Sequence, residues 1–158
     1  MSCMRSLVAA VLTLALSATP GYAGEAAKAN LDILLDTIRA NQKALVAANL
    51  KLTDEEAGKF WPLYDRYQTE LTAVQDRGVK VIEDYTASFH DLSNEKAMKL
   101  ADDWLSAEGD RVKVRRTYLP EFAKVLPGKK VVRFYQIENK MDAVLRYDLA
   151  AAIPVVGE

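Results

Sequence analysis

The stretch Leu52–Leu71, LTDEEAGKFWPLYDRYQTEL, decides the fold. Thr53 followed three residues later by Glu56 is a capping box, in which each side chain satisfies a backbone donor of the other. Leu52 before the cap and Ala57 after it have the spacing of a hydrophobic staple. Asp54, Glu55 and Glu56 fall where the positive end of a helix dipole favours acidic side chains. A helix therefore starts here. Beyond it, Phe60, Tyr64, Tyr67, Leu71, Val74, Gly78, Val81 and Tyr85 recur at alternating spacings of four and three. That is a heptad seam. It predicts one helix running to about Ser88, roughly 50 Å long at about 1.5 Å per residue. Pro62 lies inside it, removing one backbone donor and crowding the preceding turn, which predicts a bend. Gly58, four residues earlier, is the position expected to relieve the proline ring. Gly78 costs helix propensity on the seam but permits close backbone approach.

Working outward, Leu31, Leu34, Ile38, Leu45 and Ala48 repeat at helical spacing and predict a helix from about Ala26 to Ala48. On the other side, SFHDLSNEKA (88–97) breaks the pattern, with Ser93 as the next cap. A third helix is expected from Asn94 to about Val125, its apolar face formed by Ala97, Leu100, Trp104, Ala107, Val114, Tyr118, Phe122 and Val125. Pro120 predicts a second bend. LPGKK (126–130) supplies turn residues. A fourth helix follows from Lys129 to about Ala151, using Val131, Phe134, Ile137, Met141, Leu145 and Leu149, and Pro154 stops it. No segment alternates as a strand does. The fold class is all-α: four helices in two long antiparallel hairpins, bent at Pro62 and Pro120.

The first 23 residues read as a cleaved signal peptide. Arg5 precedes the apolar run Leu7–Leu16, which is too short to span a bilayer, and Gly21-Tyr22-Ala23 is a small-x-small cleavage pattern. Residues 24–158 then form a single helical domain, exported to a bacterial periplasm. The sole cysteine, Cys3, lies in the signal, so the mature chain has neither a disulfide nor a thiolate nucleophile.

The near-neutral total charge of −1 hides a segregation. Between residues 111 and 133 stand eight basic side chains against Glu121 alone, whereas residues 24–110 are predominantly acidic. Such a basic segment either steers acidic proteins or lipid headgroups, or neutralises the acidic helices beside it. Nucleic acid is excluded as a partner, since no reading motif is present. His90 is the single histidine, and zinc sites need more nitrogen or sulfur ligands than that. There is no phosphate-binding glycine loop and no triad. No metal, cofactor or catalytic residue is expected.

LTDEEAGKF resembles the LTxxQ motif of the Spy/CpxP-like family of bacterial periplasmic proteins, with Glu56 or Ala57 standing where the family has glutamine. LPGKK, opening VLPGKKVVRFYQIENK, lies where that family's second copy falls. The longer pattern is typical of small exported proteobacterial helical proteins. The resemblance implies a bent helical protein that dimerises and acts as an ATP-independent chaperone or a stress sensor. The expected function is accordingly a chaperone-like or stress-adaptor binding protein that engages unfolded or envelope proteins. The alternative is a regulatory partner of an envelope sensor. The residues expected to carry binding are Trp61, Tyr64, Arg115, Arg116, Lys129 and Lys130. Heptad spacing favours a core position for Phe60, Tyr64 and Tyr67 over a client-binding one, while Trp61, off the seam, is expected to face outward or a partner subunit.

Overall fold

The computed structural model describes residues 33, 37 and 40–156. The expected signal peptide and most of the first half of the first helix lie outside the described residues. Among the described residues, four α-helices make up the fold: α1 (40–50), α2 (Asp54–Ser88), α3 (Asn94–Val125) and α4 (Gly128–Ala152). A short 3-10 turn, Phe89–Asp91, links α2 to α3.

The ends form where the local chemistry predicts. Thr53 Oγ1 accepts from the Glu56 amide while Glu56 Oε2 accepts from the Thr53 amide at 2.8 Å, completing the capping box. Ser93 caps α3 by accepting from the Lys96 amide. α1 stops through Lys51, which takes a left-handed φ of 53°. That is a conformation usually left to glycine. Pro62 and Pro120 both lie inside continuous helices, and neither ends its helix. A Cβ at Gly58 would meet nothing within 4 Å.

Side-chain pairings set the topology. Tyr118 Oη donates to Glu70 and Arg77 donates to Asp110, so α2 and α3 run antiparallel. Tyr135 Oη donates to the carbonyl of Arg115 and Arg111 pairs with Asp142, so α4 runs back along α3. α1 lies against α4 through Gln42–Glu138 and Asn49–Arg133.

The core sits at one end. Val46, Leu50, Phe60, Leu63, Tyr64, Tyr67, Leu71, Tyr118, Phe122, Leu126, Val131 and Phe134 form one buried cluster. Phe60, Phe122 and Phe134 close a triangle, with ring centroids 5.6, 5.4 and 4.7 Å apart. Aromatic contacts of this kind contribute about 0.5–1.5 kcal/mol each beyond the area they bury. The predicted seam of α2 holds through Gly78. There the buried position moves to Ile82 instead of Val81. A straight helix of 3.6 residues per turn drifts from a seven-residue repeat, and this is that drift.

Two polar clusters interrupt the apolar stripes. Glu138 of α4 is only 5% exposed and accepts from Gln42, Tyr67 and Gln68 at 3.2–3.4 Å. Arg111 occupies the stripe of α3 between Ala107 and Val114. It pairs with Asp142 at 2.6 Å, while Arg146 takes both oxygens of Glu108 at 2.6 Å.

Candidate partner-binding face

The six residues expected to bind a partner do not form one surface. Tyr64 is 2% exposed and belongs to the core, stacked edge-on to Phe134. Its buried ring offers nothing to a client. Burial is also the main cause that pushes its phenol pKa up. Trp61 is partly buried rather than turned outward. It packs edge-on against Phe60 and Tyr64, and the Lys43 ammonium lies 5.3 Å from its ring.

The basic residues divide into internal and external sets. Lys130 is mostly buried and is held by Glu56 and the Lys51 carbonyl. Arg111 pairs with Asp142, Lys124 with Glu121, and Arg133 donates to the Asn49 carbonyl. The Arg115 guanidinium lies 5.5 Å from the Tyr135 ring. Much of the segment's charge therefore neutralises its own neighbours. Arg116 and Lys129 are exposed and have no ion pair among the described residues, and Lys113 points out likewise.

Arg115 and Arg116 do come together. With Val112 and Leu119 of α3 and Tyr135 of α4 they line a shallow groove of about 330 Å³. Val112 and Leu119 belong to a larger feature that the sequence reading missed. Met98, Leu105, Val112 and Leu119 are exposed by 71, 67, 51 and 47%. They stand seven residues apart along α3, on the side opposite Leu100, Ala107, Val114 and Tyr118. α3 thus carries two apolar stripes. One faces α2 and α4, and no described residue covers the other. The signal was present as the strict interval of seven, but the stronger inner stripe accounts for the helix by itself.

Buried ionisable groups with shifted pKa values often mark reactive sites, so Glu138 needs a separate account. Burial is the main cause that raises its pKa, opposed by its hydrogen bonds from Gln42, Tyr67 and Gln68 and by the nearby Arg115 charge. It borders a small, partly open pocket of about 30 Å³, shared with Arg111, Arg115 and Asp142. Glu138 is the point where α1, α2 and α4 exchange hydrogen bonds. Among the described residues, no three His, Cys, Asp or Glu side chains gather to hold a metal ion. Nor is any helix there long and apolar enough to cross a membrane. No protein-family model, no curated protein and no solved structure matches this chain.

Proposed function

We propose that this chain is a non-enzymatic periplasmic binding protein of chaperone or stress-adaptor type, and that it engages other proteins along the outer face of α3. The uncovered stripe of Met98, Leu105, Val112 and Leu119 carries this reading. Exposing four large apolar side chains in one line costs solubility, and such patches mark interaction sites. Arg115, Arg116 and Tyr135 at one end add cationic and aromatic contacts for an unfolded or acidic segment. The Spy/CpxP-like resemblance of LTDEE and LPGKK points the same way. Glu56 and Lys130, the fifth residues of those two segments, pair with each other, which supports reading the segments as a matched set.

Light scattering of an aggregating model client tests the proposal. The protein suppresses aggregation at stoichiometric ratio, and Val112→Asp/Leu119→Asp loses most of that effect while keeping its helical circular dichroism. Lack of suppression by the unaltered protein overturns the chaperone reading. Capture of a single stoichiometric envelope protein then moves the assignment to a regulatory partner.

A further inference from the structure

We propose that the groove between α1 and α4 binds a small amphiphilic carboxylate, with its acid head on Arg133 and its apolar tail along Leu45, Ile137 and Met141. This site goes beyond the protein-binding reading of α3 and stands on a different face of the molecule.

The groove follows from how the two helices meet. Gln42 donates to Glu138 and Arg133 donates to the Asn49 carbonyl, so α1 and α4 run antiparallel and are pinned at two levels. Their outward flanks do not close over each other. Leu45, Ile137 and Met141 hold periodic apolar positions expected to pack inward, yet Leu45 is 46% exposed and the other two are only half-buried. They form an apolar floor in an open groove of about 530 Å³. Small-molecule sites occupy roughly 300–1,000 Å³.

The rim is one-sided in charge. Arg133 and Lys140 line the groove, Asn49 and Gln136 add neutral polar groups, and no aspartate or glutamate lines it. The nearby carboxylates are engaged elsewhere. Asp142 pairs with Arg111 of α3, and Glu138 accepts from Gln42, Tyr67 and Gln68. Arg133 spends its Nε on the Asn49 carbonyl at 2.7 Å, which fixes the guanidinium at one end of the groove. Its two terminal amino groups, the Gln136 amide and the Lys140 ammonium have no partner among the described residues. The free edge of a guanidinium matches the two oxygens of a carboxylate. The lining residues are all helical, so their backbone amides are committed within α1 and α4 and cannot cradle a phosphate. From Arg133 to Met141 the floor runs about 12 Å at about 1.5 Å per residue, the reach of a short alkyl tail. Lys140, two turns along from Arg133, adds a second positive charge that draws anions to the groove.

Calorimetric titration of the full chain with decanoate tests the proposal. One molecule binds per chain, with the negative heat-capacity change that burial of the tail produces. Decanol, which keeps the tail and lacks the charge, binds about tenfold more weakly. Arg133→Met weakens decanoate about tenfold and leaves decanol unchanged, whereas Leu45→Asn, at an exposed position, weakens both. Arg116→Met, on the outer face of α3, weakens neither. If Arg133→Met loses helical circular dichroism, Lys140→Met, which removes a side chain with no partner, carries the charge test and weakens decanoate about threefold. Absence of decanoate binding, or equal binding by the Arg133, Lys140 and Leu45 variants, overturns the proposal. Co-sedimentation with phosphatidylglycerol vesicles that Arg133→Met abolishes, without binding of free decanoate, makes the groove a membrane contact and overturns it as well.

Discussion

Lys130, in the first turn of α4, reaches Glu56, in the first turn of α2, across 74 residues of chain, and its ammonium also donates to the carbonyl of Lys51 at 3.0 Å. One cation thus ties together the end of α1, the cap of α2 and the start of α4. The Lys130 hydrogen bond and the Thr53 amide hold the Glu56 carboxyl below its ordinary pKa of 4.5. A carboxylate depressed in the folded state contributes stability above its unfolded value, and that contribution is lost as pH falls through the folded value. Glu56→Gln and Lys130→Met are each expected to lower the melting temperature at pH 7. In a double-mutant cycle the combined change is smaller than the sum. The coupling disappears in melts run well below pH 4.5.

Glu138 has the opposite sign. Its folded pKa is raised, chiefly by burial, so ionising it costs stability above the folded value. That cost is relieved as pH falls through the folded value toward the ordinary 4.5. Glu138→Gln keeps the size of the side chain and one acceptor oxygen and removes the charge, while its amide nitrogen donates where the second carboxylate oxygen accepts. It is expected to raise the melting temperature at pH 7 and to remove part of the gain on mild acidification. A variant that melts lower than the unaltered protein at pH 7 contradicts this account.

Phe122 is fully buried and touches Phe60, Tyr67, Tyr118, Phe134 and Tyr135. Phe122→Ala is expected to cost about 3–5 kcal/mol in urea unfolding, the usual range for an aromatic deleted from a packed core. Leu119→Ala, one helix position group away on the exposed side, changes monomer stability by less than about 0.5 kcal/mol.

Two backbone positions carry removable cost. Lys51 holds a left-handed φ that glycine adopts freely, so Lys51→Gly offsets the loss of the Lys51 side chain and leaves the carbonyl contact with Lys130 intact. Gly58 has open space at its Cβ inside α2, and Gly58→Ala is expected to stabilise by about 0.5–1 kcal/mol. Thermal melts of the two single variants check both.

The helices were legible because each boundary has a local cause. Thr53, Ser93 and the Pro127-Gly128 pair act on their own neighbours, so the ends of α2, α3 and α4 fall within a residue or two of expectation. The inner faces were legible for the same reason, since Phe60, Tyr67, Phe122 and Phe134 sit at periodic positions. What depended on distant pairing was not legible. Lys130 reads as a surface cation until Glu56 is placed beside it. Arg111 and Glu138 break an apolar stripe in sequence and earn their places only through Asp142, Tyr67 and Gln68. Tyr64 is the mixed case: its heptad position favours the core, where the structure places it against Phe134, and its place among the binding residues is what fails.

The lopsided core has a dynamic consequence. The aromatic cluster gathers where α1 meets the first half of α2, while the far reach of α2 and α3 is buried mainly through Val74, Ile82, Leu100 and Ala107. Fewer apolar contacts mean a lower free energy of local opening. Amides around Ile82 and Leu100 are expected to exchange with solvent through partial unfolding of the hairpin tip, while those around Tyr67 and Phe122 exchange only when the whole chain unfolds. The molecule has a slow end and a fast end, and the outer stripe of α3 runs from one to the other, with Leu119 anchored beside the slow end and Met98 carried on the fast one.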